Sequence, residues 1–400
     1  LRMLKLFMKK ILIISESFWS PTKGTAQYAL NLINKLKNTY GVHLLVPTFN
    51  DDSDYKIDNI ILYTCYVDSD CRKGLHDIKA RKKFLSYVRK NIAKICYDNS
   101  IDCIHIVYGH FVIEKIPYKL DIPVIWTCHN MPPNEAHPPF YGTSWMSNLG
   151  NYMYKLLVRL KHAYIINKSK IDQIICVSET TKLDLKKWVL NSKDIRVVNN
   201  GCNFFYTDGD FYEKKNSVLK IITVGGIKPH KNIHLIPIIS SKLNEIGVKH
   251  EWNIIGPVMN ENYFKNVECI NKKYTSSIIF RGEVCSQKLK EYYLSSDIYV
   301  HLSKEEGFCL TILEAASFGL PCVGTNVGAI PEIISSLNNG ILVEPDANVI
   351  YSAILKFNKD RNLYNHSRSL CDKTFALWGW DRVVKEYISH YNECIATFDK

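Results

Sequence analysis

The feature that most constrains this 400-residue chain is an alternation of short apolar runs with helix-type segments, interrupted once and then resumed. In the first half, residues 10–15, 42–47, 59–65, 101–107, 123–127, 173–177 and 195–198 read as strands. Several are nearly continuous apolar runs, the pattern of strands buried on both faces of a parallel sheet. Helix-type segments lie between them, at 26–36, within 71–95, at 152–167 and after the N-capping Ser178. Residues 204–217 are polar, without periodicity, and read as a linker. The pattern then restarts with strand 219–224, helix 233–246, strands 251–255 and 277–280, helix 286–294 and strand 297–302. Alternating β and α units in both halves predict an α/β chain of two doubly wound parallel-sheet domains. The expected boundaries are 1–203, a linker at 204–217, a second domain at 218–379 and a long C-terminal helix within 380–400.

In open sheets of this kind, ligands meet the carboxyl ends of the strands. The stretch SKEEGFCLTILEAASFGLPCVGTNVGAIPE, residues 303–332, follows one such end. A turn carrying Glu305, Glu306 and Gly307 feeds a helix at 310–318, closed by Gly319 and Pro321. The first N–H groups of a helix lack internal partners and the helix dipole is positive there, so anions are favoured. Glu306 in the turn and Glu314 in the helix add acceptor-only carboxylates beside that end. Free N–H groups next to carboxylates suit a ligand carrying both phosphate and hydroxyl groups, such as a nucleotide sugar.

Charge and cysteine usage narrow the setting. Residues 1–203 hold 29 Lys and Arg against 17 Asp and Glu, whereas the remainder holds 22 of each. The excess positive charge suits an anionic partner, such as membrane lipid, a polyprenyl phosphate or nucleic acid. In the basic segment 71–95, Ile78, Phe84, Leu85, Val88, Ile92 and Ile95 share one helical side. Two readings stand for it: a helix lying on an anionic bilayer, or one docked on a sheet with a solvated basic face. The 13 cysteines are scattered and never spaced CxxC, which points to free thiols in a reducing cytosol. No apolar run reaches the roughly 18 residues of a membrane span, and the apolar run at the N-terminus is a strand, too short for a signal peptide. No P-loop, GxGxxG, GxSxG or HExxH occurs, so ATPase, dinucleotide-enzyme and common hydrolase readings lack their cradle. Three Asp-x-Asp triplets, at 52–54, 68–70 and 208–210, sit in polar segments and read as solvated loops rather than metal ligands.

Glu306, seven residues, then Glu314-Ala315 resembles the Glu-x7-Glu signature of retaining glycosyltransferases of family four (glycosyl transferases group 1). The following PCVGTNVGAIPEII resembles the next strand, turn and helix of that family. The resemblance implies the GT-B fold: two Rossmann-like domains whose parallel sheets face a central cleft and close on the donor, with the C-terminal helix crossing back to the first domain. It also implies roles. His129, just past strand 123–127, matches a functional family histidine and with Glu306 would serve the sugar ring. Lys231 in GGIKPHKN matches a family lysine that holds the donor diphosphate, together with N–H groups near Phe308, Cys309 and Leu310. Glu314 would accept from ribose hydroxyls. Gly24-Thr25 partly matches the family's Gly-rich loop, leaving either a phosphate contact or a plain turn. Two departures stand out. Gly226 occupies the place of a family arginine, with Lys228 as a substitute point charge, and Cys309 replaces a common glycine.

The resemblance implies metal-independent, retaining transfer from a UDP- or GDP-sugar to a saccharide or polyprenyl-linked acceptor, in cell-surface polysaccharide synthesis. It needs no cofactor and no nucleic acid, and would work in the cytoplasm or on the inner face of the membrane. The rival reading is a non-catalytic protein of the same fold that binds anionic polymer or membrane. Retention of Glu306, Glu314, His129 and Lys231 together favours the enzyme.

Overall fold

The computed structural model describes residues 8–16, 24–49, 57–67, 78–130, 145–190, 193–202, 218–360, 365–367 and 369–398. The Pro-rich loop before residue 145, the linker 204–217 and all three Asp-x-Asp triplets lie outside them. The chain divides into two compact units: Leu1–Asn200 with Trp380–Lys400, and Gly201–Gly379.

The first unit is built on seven parallel strands: β1 (Lys10–Ser15), β2 (Gly41–Thr48), β3 (Ile61–Tyr66), β4 (Cys103–Tyr108), β5 (Val124–Cys128), β6 (Gln173–Cys176) and β7 (Asp194–Val197), in the order β3-β2-β1-β4-β5-β6-β7. Successive strand residues point to opposite faces, so the apolar runs feed two cores. Leu12, Ile14, Ile104 and Ile106 join one core with Phe84, Val88 and Ile92 of the helix Ile78–Asn99. Ile11, Ile13, Cys103 and Val107 join the other, with Tyr28 and Leu32 of the helix Gly24–Leu36 and Tyr387 and Tyr391 of the helix Trp380–Phe398.

The apolar side of Ile78–Asn99 is therefore spent on the sheet. Only Ile78, of the six residues assigned to that side, is exposed. The docked-helix reading holds for this segment, because a buried stripe leaves only its basic face for solvent.

A buried polar network ties the C-terminal helix into the first unit. Tyr387 OH lies 2.5 Å from Tyr28 OH and 2.9 Å from Thr127 Oγ1. The two nitrogens of His105 meet Tyr391 OH at 2.6 Å and Thr127 Oγ1 at 2.7 Å. Buried hydroxyls and ring nitrogens that find one another avoid the cost of stranded polar groups and fix one packing.

The second unit carries six parallel strands: β8 (Leu219–Val224), β9 (His250–Ile255), β10 (Ile278–Gly282), β11 (Ile298–His301), β12 (Cys322–Thr325) and β13 (Gly340–Val343), in the order β10-β9-β8-β11-β12-β13. Its core runs from Ile221, Ile254 and Val300 to Ile239, Ile350 and Phe357. The segment expected as one helix at 233–246 is a 3-10 turn, Ile233–Leu235, followed by the α-helix Ile236–Glu245 with Pro237 in its first turn. Pro tolerates that place because the N–H it lacks would have no intrahelical partner.

Candidate active site

Both sheets reverse their strand order once, between β1 and β4 and between β8 and β11. Loops leaving adjacent strands in opposite directions open a crevice at such a point. At the β8/β11 point the two loops are stitched together. Asn232, buried and left-handed at φ 51°, donates from Nδ2 to Leu302 O at 2.9 Å. Lys304 N–H donates to His230 O at 2.8 Å. The stitching brings Lys231 to Glu306, with Nζ donating to Oε1 at 2.5 Å. His301, the last residue of β11, presents Nε2 to the same oxygen at 2.8 Å. Gly328, at φ +56°, lets the next loop press on this turn: a Cβ there would sit 2.6 Å from Glu306 O.

Lys231 and Glu306 side chains are 15% and 14% exposed, so the pair is largely desolvated. Burial alone would raise the Glu306 carboxyl, but Lys231 and His301 outweigh it and hold the group well below the usual carboxylate range. Glu306 is thus ionised at any physiological pH. Burial likewise opposes charge on His301, and Cys309 and Glu306 overcome it, lifting the imidazole to about 9.

The helix Leu310–Ser317 starts beside this cluster. Its cap, Cys309, is left-handed at φ 75°, and no side chain caps this end. The left-handed backbone accounts for the glycine that the family commonly places there. Phe308 is buried, its ring 5.8 Å from that of Trp378. Glu314, one turn in, accepts from Tyr293 OH at 3.0 Å. Burial raises its carboxyl to about 7, with the Tyr293 bond opposing. Lys228 precedes the short turn Pro229–Lys231 and accepts the Lys231 N–H at its carbonyl, 3.0 Å. At Gly226 an added Cβ would lie 2.6 Å from Met259 Cγ, so any side chain there must displace Met259.

In the first unit, Gly24 and Thr25 open the helix Gly24–Leu36. Tyr28 of that helix packs edge-on against His129, with centroids 4.8 Å apart. His129 Nε2 lies 3.0 Å from Val107 O. A carbonyl only accepts, so Nε2 carries a hydrogen and, in the neutral ring, Nδ1 is the acceptor. Burial lowers this imidazole to about 4, the Val107 bond opposing, so the ring is neutral at pH 7.

The sequence reading missed His301, Tyr293 and Tyr299, which position the chosen residues, and a polar group at the β1/β4 point. There Glu16 follows β1 and His110 follows β4, with the His162 ring tilted against that of His110 at 4.2 Å. Glu16 Oε1, His110 Nε2 and His162 Nδ1 are buried without a hydrogen-bond partner among the described residues. The available signal was position: Glu16 and His110 stand just past strand ends, as His129 does.

These two parallel-sheet units define the GT-B class. Two family models match the chain, "Glycosyltransferase Family 4" over residues 22–204 and "Glycosyl transferases group 1" over residues 208–369. The chain belongs to the glycosyltransferases of family four. Among curated relatives, sucrose-phosphate synthase 4 of Arabidopsis thaliana is 35% identical over 98 residues, and sucrose-phosphate synthase of Zea mays is 36% identical over 98 residues. Each match covers 24% of this chain and 9% of the relative's length. Sucrose-phosphate synthase from Thermosynechococcus elongatus superposes at TM-score 0.77 with 17% identity, covering 97% of this chain and 100% of that one. Anabaena Alr3699/HepE, solved with UDP and glucose, superposes at 0.71 with 14% identity, covering 96% and 99%.

Proposed function

We propose that the protein moves a sugar, with retention at the anomeric carbon, from a UDP- or GDP-sugar to a hydroxyl of a saccharide or polyprenyl-linked acceptor in cell-surface polysaccharide synthesis. The observation that carries this reading is the buried Lys231–Glu306–His301 cluster beside a helix start that no side chain caps. In this reading the bond from the anomeric carbon to the diphosphate breaks as the acceptor oxygen attacks from the same face. The acceptor proton leaves on the departing diphosphate. Lys231 and the N–H groups of residues 308–310 offset the charge that grows there. An ammonium carries three N–H donors, so bonding Glu306 does not exclude a phosphate oxygen. Lys228 supplies a second positive charge, and Gly24 and Thr25 supply further N–H groups. Glu314 takes the ribose hydroxyls. Glu306 and neutral His129 hold the sugar ring, Glu306 as a permanent negative charge near the developing oxocarbenium ion and His129 as an acceptor. Cationic and N–H groups fill the place of a metal, so transfer needs none.

The acceptor reading draws support from the helix Trp145–Lys168. Leu149, Tyr152, Met153, Leu157, Leu160 and Tyr164 recur at helical spacing and are exposed, Tyr152 by 64% and Leu157 by 60%. Lys155, Arg159, Lys161 and Lys168 accompany them, and the helix has no acidic residue. An apolar stripe flanked by basic side chains suits the surface of an anionic bilayer, where a lipid-linked acceptor is presented. No helix among the described residues is long and apolar enough to cross a membrane, so contact would be peripheral.

Incubation with a panel of UDP- and GDP-sugars, followed by nucleotide release with and without lipid-linked acceptors, tests the enzyme. Release from at least one donor, lost in Glu306→Gln, is expected. No release from any donor would favour the binding-protein alternative. For the membrane, sedimentation with anionic vesicles at low salt should weaken when Leu157 and Leu160 are both changed to Ser. Absence of sedimentation in the unaltered protein removes the peripheral assignment.

A further inference from the structure

We infer that His301, Glu306 and Cys309 form a binding site for a thiophilic divalent cation such as Zn2+. Their ligand atoms, Nε2, Oε1 and Sγ, all lie within 4.8 Å of one another, the one such grouping among the described residues. His301 Nε2 is the centre, 2.8 Å from Glu306 Oε1 and 3.3 Å from Cys309 Sγ. Tetrahedral zinc, with bonds of about 2.0–2.3 Å, spaces its ligands by roughly 3.2–3.8 Å. The two pairs that include Nε2 therefore need to part by less than about 1 Å, the Glu306 and Cys309 ligand atoms, now within 4.8 Å, settle to the same spacing, and the ion takes the place of the proton that Nε2 now shows to Glu306.

Two further observations point to a ligand. The other ring nitrogen is already oriented from behind: Tyr299 OH donates to Thr311 Oγ1 at 2.7 Å, so His301 Nδ1–H donates to that hydroxyl at 3.1 Å. Metal-binding histidines are held in this way, with the remaining nitrogen aimed at the ion. The second observation is Cys309 itself. It keeps a β-carbon at φ 75°, a conformation that costs any residue other than glycine. Strain of that kind persists where a side chain is put to use, and here it aims Sγ at His301. Thiolate, imidazole and one carboxylate select zinc over magnesium or calcium, which prefer oxygen ligands.

Occupancy would draw Glu306 from Lys231 and set a second cation beside the ammonium. If the proposed donor reading holds, on which this consequence alone rests, the ion is a reversible inhibitor and competes with the nucleotide.

Cobalt(II) is the probe, since its bond to a thiolate absorbs in the near ultraviolet. Titration into the reduced, metal-free full chain should give a saturating band at one equivalent. Cys309→Gly should lose that band, and it should fold, because glycine suits the left-handed position. His301→Ala should weaken Zn2+ binding at least about tenfold in chelator competition. Cys269 and Cys285 are exposed thiols, so the double variant Cys269→Ser, Cys285→Ser should keep the band. No band in the unaltered protein, or a band that survives in Cys309→Gly, overturns the site. These readouts need no nucleotide, so they stand or fall apart from the donor assignment. Zn2+ that binds with no effect on UDP or GDP affinity would overturn the inhibitory role alone.

Discussion

The two switch points of this molecule share a topology and differ in how their polar groups are satisfied. At β8/β11, Lys231 and His301 both bond the Glu306 carboxylate, and charge is fixed in place. At β1/β4, Glu16, His110 and His162 are buried, each with a polar atom that lacks a partner among the described residues. Burial pushes Glu16 up to about 7, with Arg81 opposing, and His110 down to about 3. One edge is preorganised around charge; at the other, burial disfavours charge on the carboxyl and the imidazoles, at a cost in stability. The same topology thus satisfies its buried polar groups as ion pairs at one edge and leaves some of them stranded at the other.

Three variants test the contrast. Lys231→Ala strips the second edge of its cation and leaves Glu306 buried with His301 alone. Turnover should fall roughly 100- to 1000-fold, read by steady-state kinetics. A change under tenfold would remove Lys231 from the leaving-group site.

Glu314→Gln should weaken nucleotide binding by about tenfold and flatten its pH dependence. The carboxylate accepts two hydroxyls better than the acid does. Affinity in the unaltered protein should therefore rise as pH passes through about 7, as calorimetry at several pH values would record. An equal slope in the variant means another group titrates.

Glu16→Gln should have the smallest effect, on stability alone. The folded carboxyl titrates near 7 and the unfolded one near 4.5. The unfolded chain therefore loses its proton first, and the Glu16 contribution to stability falls as pH rises between those values. Glutamine removes that slope and should add about 1–3 kcal/mol above pH 7. Urea melts at pH 5 and pH 8 give the comparison, and an unchanged difference between them contradicts the burial of Glu16.

Much of the fold was legible because parallel strands buried on both faces announce themselves as apolar runs. Residues 219–224 were read to the residue as β8. The helix Glu261–Lys273 was missed although Tyr263, Phe264, Val267 and Ile270 recur at helical spacing and Asn260, which accepts from Tyr263 N, caps it; only Val267 is fully buried. The helix Ala347–Lys359 was missed although Asp346, which accepts from Asn348 N and Val349 N, is a readable N-cap. In the site, spacing found Glu306 and Glu314, because both belong to one turn-and-helix unit. Nothing local announced that His301 bonds Glu306, that Tyr293 supports Glu314, or that Met259 lies over Gly226. Those contacts arise between elements, and only the folded chain brings them together. Cys309 is the converse case: its replacement of a common glycine was visible, but its φ of 75° and its reach to His301 were not.

The decisive property of the β8/β11 edge is whether it takes a nucleoside diphosphate. Calorimetric titration of UDP and of GDP into the unaltered chain and into Glu314→Gln addresses this without an acceptor or a sugar. One of the two nucleotides should bind at one equivalent and weaken by about tenfold in the variant. Binding of neither, or binding that ignores the loss of the Glu314 carboxylate, would contradict it.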